Sequence, residues 1–363
     1  NEADETFEIT LSNPTSQYGN PTIAAGGSVH TVTITNDDDT EISFSALTSN
    51  VNPEASTTHN IRVNRSKTNG TATVTYSTND VTATQNEDYT PVASGTLNFS
   101  DGESFKDIEI VISGDTKNEN DETFTVTLNS ASSEFGSTSI TGGSTHTVTI
   151  TNDDVSYISF DSAAQTVSEG AGTVTIPVTR TDTNGSATIK YTTSDVTTLA
   201  DVDYSEVISG TLTFNDGQAT QNISITINQD TQNEDDERFN VTLSNPVTQY
   251  GAISISGTNP HVVTIQNDDT STLGFVAATS KLAEPTSGTK SYAIGVFRTD
   301  SNGAASVDYT TGGGTATAGS DYVATGGTLN FADKQNYAEI SVTINHDGST
   351  ETPDETFNLT LSN

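Results

Sequence analysis

Asp121-Glu122-Thr123-Phe124-Thr125-Val126-Thr127-Leu128-Asn129-Ser130 alternates strictly, with Phe124, Val126 and Leu128 on one side and Thr123, Thr125 and Thr127 on the other. Period two with β-branched polar residues outward reads as a strand buried on one face. The same stretch stands at residues 4–13, 236–245 and 354–363. Its Phe recurs at 7, 124, 239 and 357, so the chain is a tandem array with a period of roughly 116 residues, the size of one independently cored domain. A second landmark keeps the same beat, a Thr-Val-Thr-Ile-type strand closed by acidic residues at 31–38, 147–154 and 262–269.

Between these landmarks the alternation continues, as in Thr71-Ala72-Thr73-Val74-Thr75-Tyr76, and no apolar spacing of three and four residues is long enough for a helix. Asn-Gly turns at Asn69-Gly70, Asn184-Gly185 and Asn302-Gly303 separate alternating runs and predict tight hairpins. A second turn is expected at Ser100-Asp101-Gly102 and Asn215-Asp216-Gly217, and a different one at Ala332-Asp333-Lys334. The pattern predicts an all-β chain of tandem antiparallel β-sandwiches with Greek-key links, about seven strands each. In the second unit they are expected near 157–168 (split), 172–180, 186–193, 208–214, 220–228, 237–244 and 260–267. The units read as 1–39 (the last two strands of a preceding unit), 40–155, 156–270, and 271–363 without its last strand. Junctions of two or three residues predict a stiff rod.

Forty-eight acidic against twelve basic side chains give a net charge of −36, which argues against nucleic acid and anionic membranes as partners and makes cations the natural counter-species. No Cys is present, which excludes disulfides and thiolate metal sites. There is neither an 18-residue apolar run nor a basic-plus-apolar leader, and the lack of any Met reads as an internal or processed stretch of something longer.

Four acidic landmarks recur where strands end. The first is an early Glu: Glu54, Glu169 and Glu284. The second is an Asp before Tyr: Asp88, Asp203 and Asp321. The third is the loop before the repeated Phe, with Asp115, Glu119 and Glu122, then Asp230, Glu234 and Glu237. The fourth is the closing pair: Asp37 and Asp38, Asp153 and Asp154, Asp268 and Asp269. Each neighbouring carboxylate pair at about 4 Å repels by roughly 4 kcal/mol at an effective dielectric of 20, so a shared edge calls for a counterion. Ca²⁺ fits, because it accepts six to eight oxygens in forgiving geometry; Mg²⁺ demands a strict octahedron, and Zn²⁺ would want His or Cys. The competing reading is that these are solvated acidic loops.

The order Glu, Asp-Tyr, Asp-x-x-x-Glu-x-x-Glu-x-Phe and a terminal acidic pair resembles the Calx-beta domain, known from sodium/calcium exchangers, integrin beta chains and large microbial surface proteins. The resemblance covers the whole chain. It implies immunoglobulin-like sandwiches that bind calcium at one tip, beside the following domain. Carried over, it assigns Glu54, Asp88, Asp115, Glu119, Glu122, Asp153 and Asp154 in the first complete unit, and Glu169, Asp203, Asp230, Glu234, Glu237, Asp268 and Asp269 in the second. Partial sets are implied at Glu2, Glu5, Asp37 and Asp38, and at Glu284, Asp321, Asp347, Glu351 and Glu355, where one residue is inserted before the Phe motif. The closing runs read Asn-Asp-Asp where exchanger domains carry three Asp, which implies less charge per site.

His30, His146 and His261 recur at a strand entrance, and a structural role is expected of them. Gly312-Gly313-Gly314 reads as a loop variant, and no nucleophile and base pair stands out. Read as a whole, the sequence predicts a non-catalytic, calcium-rigidified extracellular filament or adhesin stalk of a large microbial surface protein, used in adhesion, biofilm or motility. The alternative is an adhesive module recognising carbohydrate or a cell-surface protein. Neighbouring repeats would be the partners, in a longer chain or by head-to-tail strand complementation.

Overall fold

A computed structural model describes residues 2–349 and 352–362. The alternating runs form strands, and the strands form paired sheets. In the first complete unit one sheet has the order Ser137–Ile140, Asp39–Phe44, Thr57–Arg65, Phe105–Ile112. The facing sheet has the order Thr48–Val51, Thr145–Ile150, Glu122–Ser133, Ala72–Asp80, Gly95–Phe99. The second unit repeats both between Val155 and Gln266. The third has two three-stranded sheets between Leu273 and Ser362, and residues 5–34 form a two-stranded hairpin.

Each complete unit has nine strand segments rather than the seven expected. The first strand splits, as foreseen for the second unit, and a short extra segment appears, Ser137–Ile140 in one unit and Ala252–Ile255 in the next. That segment pairs in parallel with the opening strand, as the second half of the split strand does with the closing one. Four residues with mixed burial carry too little alternation to be recognised from sequence. Among the described residues a single 3-10 turn lies at Glu169–Ala171. Among the described residues no helix is long and apolar enough to cross a membrane.

The inward residues of the opening motif are sealed: Phe124, Val126 and Leu128 pack with Ile42, Val63, Val74, Ile108 and Val148 between the sheets. Full burial of such a side chain contributes about 1.5–3 kcal/mol, which lets thin sandwiches of low apolar content hold together. Phe124 stacks on Tyr89 with ring centroids 4.1 Å apart, and the pair returns as Phe239 on Tyr204 and Phe357 on Tyr322. His146 and His261 are buried, donating from Nδ1 to the carbonyls of Ala46 and Ser162.

A buried Arg holds both turns at one end of each unit. Arg180 donates to the carbonyls of Thr183, Gly185, Asn215 and Gln218, while Gly185 N–H donates to Asp216. Arg298 does the same with Ser301, Gly303, Ala332 and Gln335. The turn at Ala332-Asp333-Lys334 therefore keeps the shape of its counterparts: Asp333 accepts from Gly303 N–H, and Lys334 adopts φ 65° where Gly217 has 77°. The triple glycine is a strand with a bulge; at Gly314 (φ 87°) a side chain would strike the Thr356 carbonyl.

Candidate metal centre

The Tyr–Phe stack builds the inner part of the site. Asp88 precedes the buried Tyr89, and Glu122 shares the strand face of Phe124 two residues earlier, so stacking the rings brings the carboxylates together. With Glu119 they form a group whose ligand oxygens lie within 4.8 Å of one another. Asp203, Glu234 and Glu237 form the same group in the second unit. One oxygen of the motif Asp is already tied to backbone: Asp88 accepts from Thr84 N–H and Asp203 from Leu199 N–H, both at 2.5 Å.

An outer group lies toward the next unit: Glu169, Asp230 and Asp269, again within 4.8 Å. Glu169 accepts the Asp230 N–H at 2.9 Å. In the first unit Glu54, Asp115 and Asp154 occupy the matching positions and sense one another electrostatically.

Glu54, Glu122, Glu237, Asp154 and Asp269 resist ionisation. Burial, and then the neighbouring charges of Asp115, Asp88, Glu119 and Asp154, push Glu54 up to about 7. Burial and the shared hydrogen bond with Asp88 push Glu122 up to about 8; burial and Asp203 do the same to Glu237. Asp269 and Asp154 are raised by burial and then by adjacent carboxylates. Oδ2 of Asp269 is sealed from solvent with no hydrogen-bond partner. An orphaned buried oxygen among all-oxygen donors is what a hard divalent cation such as Ca²⁺ satisfies, so the residues present fit that ion. Lys117, ion-paired with Glu119, is the local cation in the first group; Gln232 stands there in the second unit and donates to Asp230.

Other sequence-derived candidates sit elsewhere. Asp268 is exposed and turned to the 3-10 turn, accepting from Ser168 Oγ, Gly170 N–H and Gln229 Nε2. Asp153 is exposed in a cleft with Asp154. Glu284 accepts from His346 Nδ1 and from Asp347 N–H. Asp347 accepts from Ser349 N–H, Asp321 from Thr317 N–H at 2.5 Å, and Glu355 is exposed. Glu351 lies outside the described residues. In the hairpin Glu2, Glu5 and Asp37 are exposed, whereas Asp38 is half-buried and accepts from Lys67 Nζ at 3.2 Å.

Sequence reasoning missed the residues that join one unit to the next. Asn118, 2% exposed, belongs to the same loop as Asp115, Glu119 and Glu122 but points into the second unit. Its Nδ2 donates to the Tyr250 and Ala252 carbonyls, its Oδ1 accepts from Ala252 N–H, and its N–H donates to Asp182. Gly251 (φ 55°) leaves room; a side chain there would strike Asn118 Oδ1. Asn184 Nδ2 returns a bond to the Asn118 carbonyl. At the next junction Asn233 N–H donates to Asp300 and Asn302 Nδ2 to the Asn233 carbonyl. The signal was available in part: an Asn stands directly before the loop Glu at 118 and 233, and an Asp two residues after the buried Arg at 182 and 300, with Lys67 at that place in the first unit.

The family model described as Calx-beta domain matches residues 35–154, 151–270 and 266–363. The Adhesion G-protein coupled receptor V1 of Danio rerio is 27% identical over 288 residues, covering 72% of this chain and 4% of that protein. Extracellular matrix protein 3 of Lytechinus variegatus is 27% identical over 388 residues, covering 100% of this chain and 12% of that protein. The chain thus spans a small fraction of these relatives. The solved calcium binding domain CBD12 of CALX1.1 is similar at 20% identity and a TM-score of 0.32, over 61% of this chain and 98% of that one.

Proposed function

Because the chain belongs to the Calx-beta domain family, we propose that it is a non-catalytic, calcium-stiffened structural array, a segment of an extracellular filament or adhesin stalk. One observation carries this reading: in residues 115–122 the carboxylates that converge on the cluster and the Asn that locks into the next unit share one short loop. Bound calcium supplies the divalent charge that the converging oxygens lack. Asp88, Glu119 and Glu122 draw together, with Glu54, Asp115 and Asp154 around the outer position. Fixing Asp115 and Glu119 fixes the Asn118 between them, and Asn118 holds residues 250–252 of the following unit. Ligation at one tip thereby becomes stiffness between units.

The relatives' names, an adhesion receptor and a matrix protein, support an extracellular structural or adhesive setting. The partners this reading needs are neighbouring repeats of the same protein. Both relatives are animal proteins and lend no support to the microbial source expected from the sequence. The test is calorimetric titration of the metal-free chain with Ca²⁺, with Mg²⁺ as control. About two Ca²⁺ per complete unit, binding well ahead of Mg²⁺, is the expected result. No calcium heat, together with the same melting curve in EGTA and in calcium, overturns the reading.

A further inference from the structure

One position changes charge between junctions. Two residues after the buried Arg stands Lys67 in the first complete unit, Asp182 in the second and Asp300 in the third. Each sits on the Arg-clamped corner that faces the preceding unit's closing Asp, namely Asp38, Asp154 and Asp269. At the first junction Lys67 Nζ reaches Asp38 Oδ1 at 3.2 Å. At the other two a carboxylate faces a carboxylate; Asp269, whose Oδ2 is sealed and partnerless, has Asp268, Asp230 and, across the boundary, Asp300 as charged neighbours. Between residues 115–117 and 181–183 an open cleft of about 390 Å³, lined by Asp115 and Asp182, leaves space for an ion and water.

We infer that this position sets which junctions depend on calcium. Asp182 and Asp300 extend the preceding unit's outer cluster across the boundary, so a divalent cation there bridges two units, while Lys67 joins its junction with a tethered cation. The inference rests on the calcium reading and deepens it. Asp182 already accepts the Asn118 and Asn184 N–H groups, and Asp300 those of Asn233 and Asn302, so both carboxylates are preset at the boundary. A preset carboxylate loses little freedom on meeting an ion. The Lys67 ammonium supplies one positive charge without an ion and is insensitive to chelators.

The test uses the whole chain, which has no Cys of its own. Spin labels at Asn98→Cys with Thr213→Cys, and at Thr213→Cys with Asn330→Cys, report the second and third junctions from exposed positions. Calcium should narrow both distance distributions in the otherwise unaltered chain. Asp182→Lys should leave the first pair equally narrow in EGTA and in calcium while the second pair still responds, and Asp300→Lys should do the reverse. Asp182→Asn, which retains an acceptor but no charge, should weaken one calcium site at least about tenfold. Unchanged affinity in Asp182→Asn together with a calcium-responsive Asp182→Lys junction overturns the inference and leaves the calcium reading standing. If the unaltered chain binds no calcium, both fall.

Discussion

Glu54, Glu122 and Glu237 sit where a carboxylate is unwelcome, with values pushed to about 7, 8 and 8 from an ordinary 4.5. Below 4.5 each is protonated folded or unfolded, and the fold is not penalised. Above 4.5 the unfolded chain ionises freely while the folded one stays protonated up to about 7 to 8, so stability falls as pH rises through that window and levels off beyond it. The metal-free chain should therefore melt at progressively lower temperature from pH 5 to pH 8.5 in EGTA. Millimolar calcium should flatten that slope, because the ion needs the ionised form; scanning calorimetry at four pH values reads both. Equal slopes with and without calcium would show that these carboxyls do not meet the ion. Glu122→Gln isolates one member: at pH 8.5 in EGTA it should raise the melting temperature, by removing the ionised charge that faces Asp88, and weaken calcium binding about tenfold. A variant that loses stability in EGTA would show Glu122 to be structural.

The corner element makes the unit's tip a platform. Arg180 is 4% exposed and satisfies four carbonyls of two turns, so Arg180→Met should leave buried acceptors unpaired at a cost of about 3 kcal/mol or more, visible as early unfolding of the second unit in urea. Loss under 1 kcal/mol would mean that solvent replaces the guanidinium. The corner also shows what the sequence makes legible. Strands such as 173–180 and 210–214 were readable within a few residues because their alternation is strong and Gly or Asn marks each end. The short segments 137–140 and 252–255 were not, since parallel edge pairing of four residues leaves no periodic trace. The same holds for the tip. Repeated carboxylates announced themselves by spacing, but direction did not: beyond the strand that ends at Gln266, Asp269 turns into the cluster while its neighbour Asp268 turns to Ser168. Asn118 carries no charge, and only its position between the loop carboxylates marked it.

Across the whole molecule, two explanations of stiffness compete. A net charge of −36 favours extension by repulsion alone, and repulsion of that kind is screened beyond about 10 Å at 0.1 M salt and 3 Å at 1 M. Junction locking depends instead on contacts shorter than those lengths: the bonds from Asn118 to residues 250–252 run 2.9–3.0 Å. Salt and calcium therefore separate the mechanisms. Small-angle scattering in 1 M NaCl with EGTA should show a shorter, broader distribution of maximum dimension than in 0.1 M NaCl with EGTA, because at the two calcium-dependent junctions repulsion is then what keeps the units in line. Adding calcium at 1 M NaCl should restore the extended form, since ligand bonds persist where screened charge does not. Asn118→Ala should break that restoration at one junction while leaving calcium stoichiometry unchanged, because Asn118 transmits the ligated loop's position without joining the cluster. A chain that collapses in 1 M salt whether or not calcium is present would be held straight by charge alone, and the acidic tips would then act as spacers.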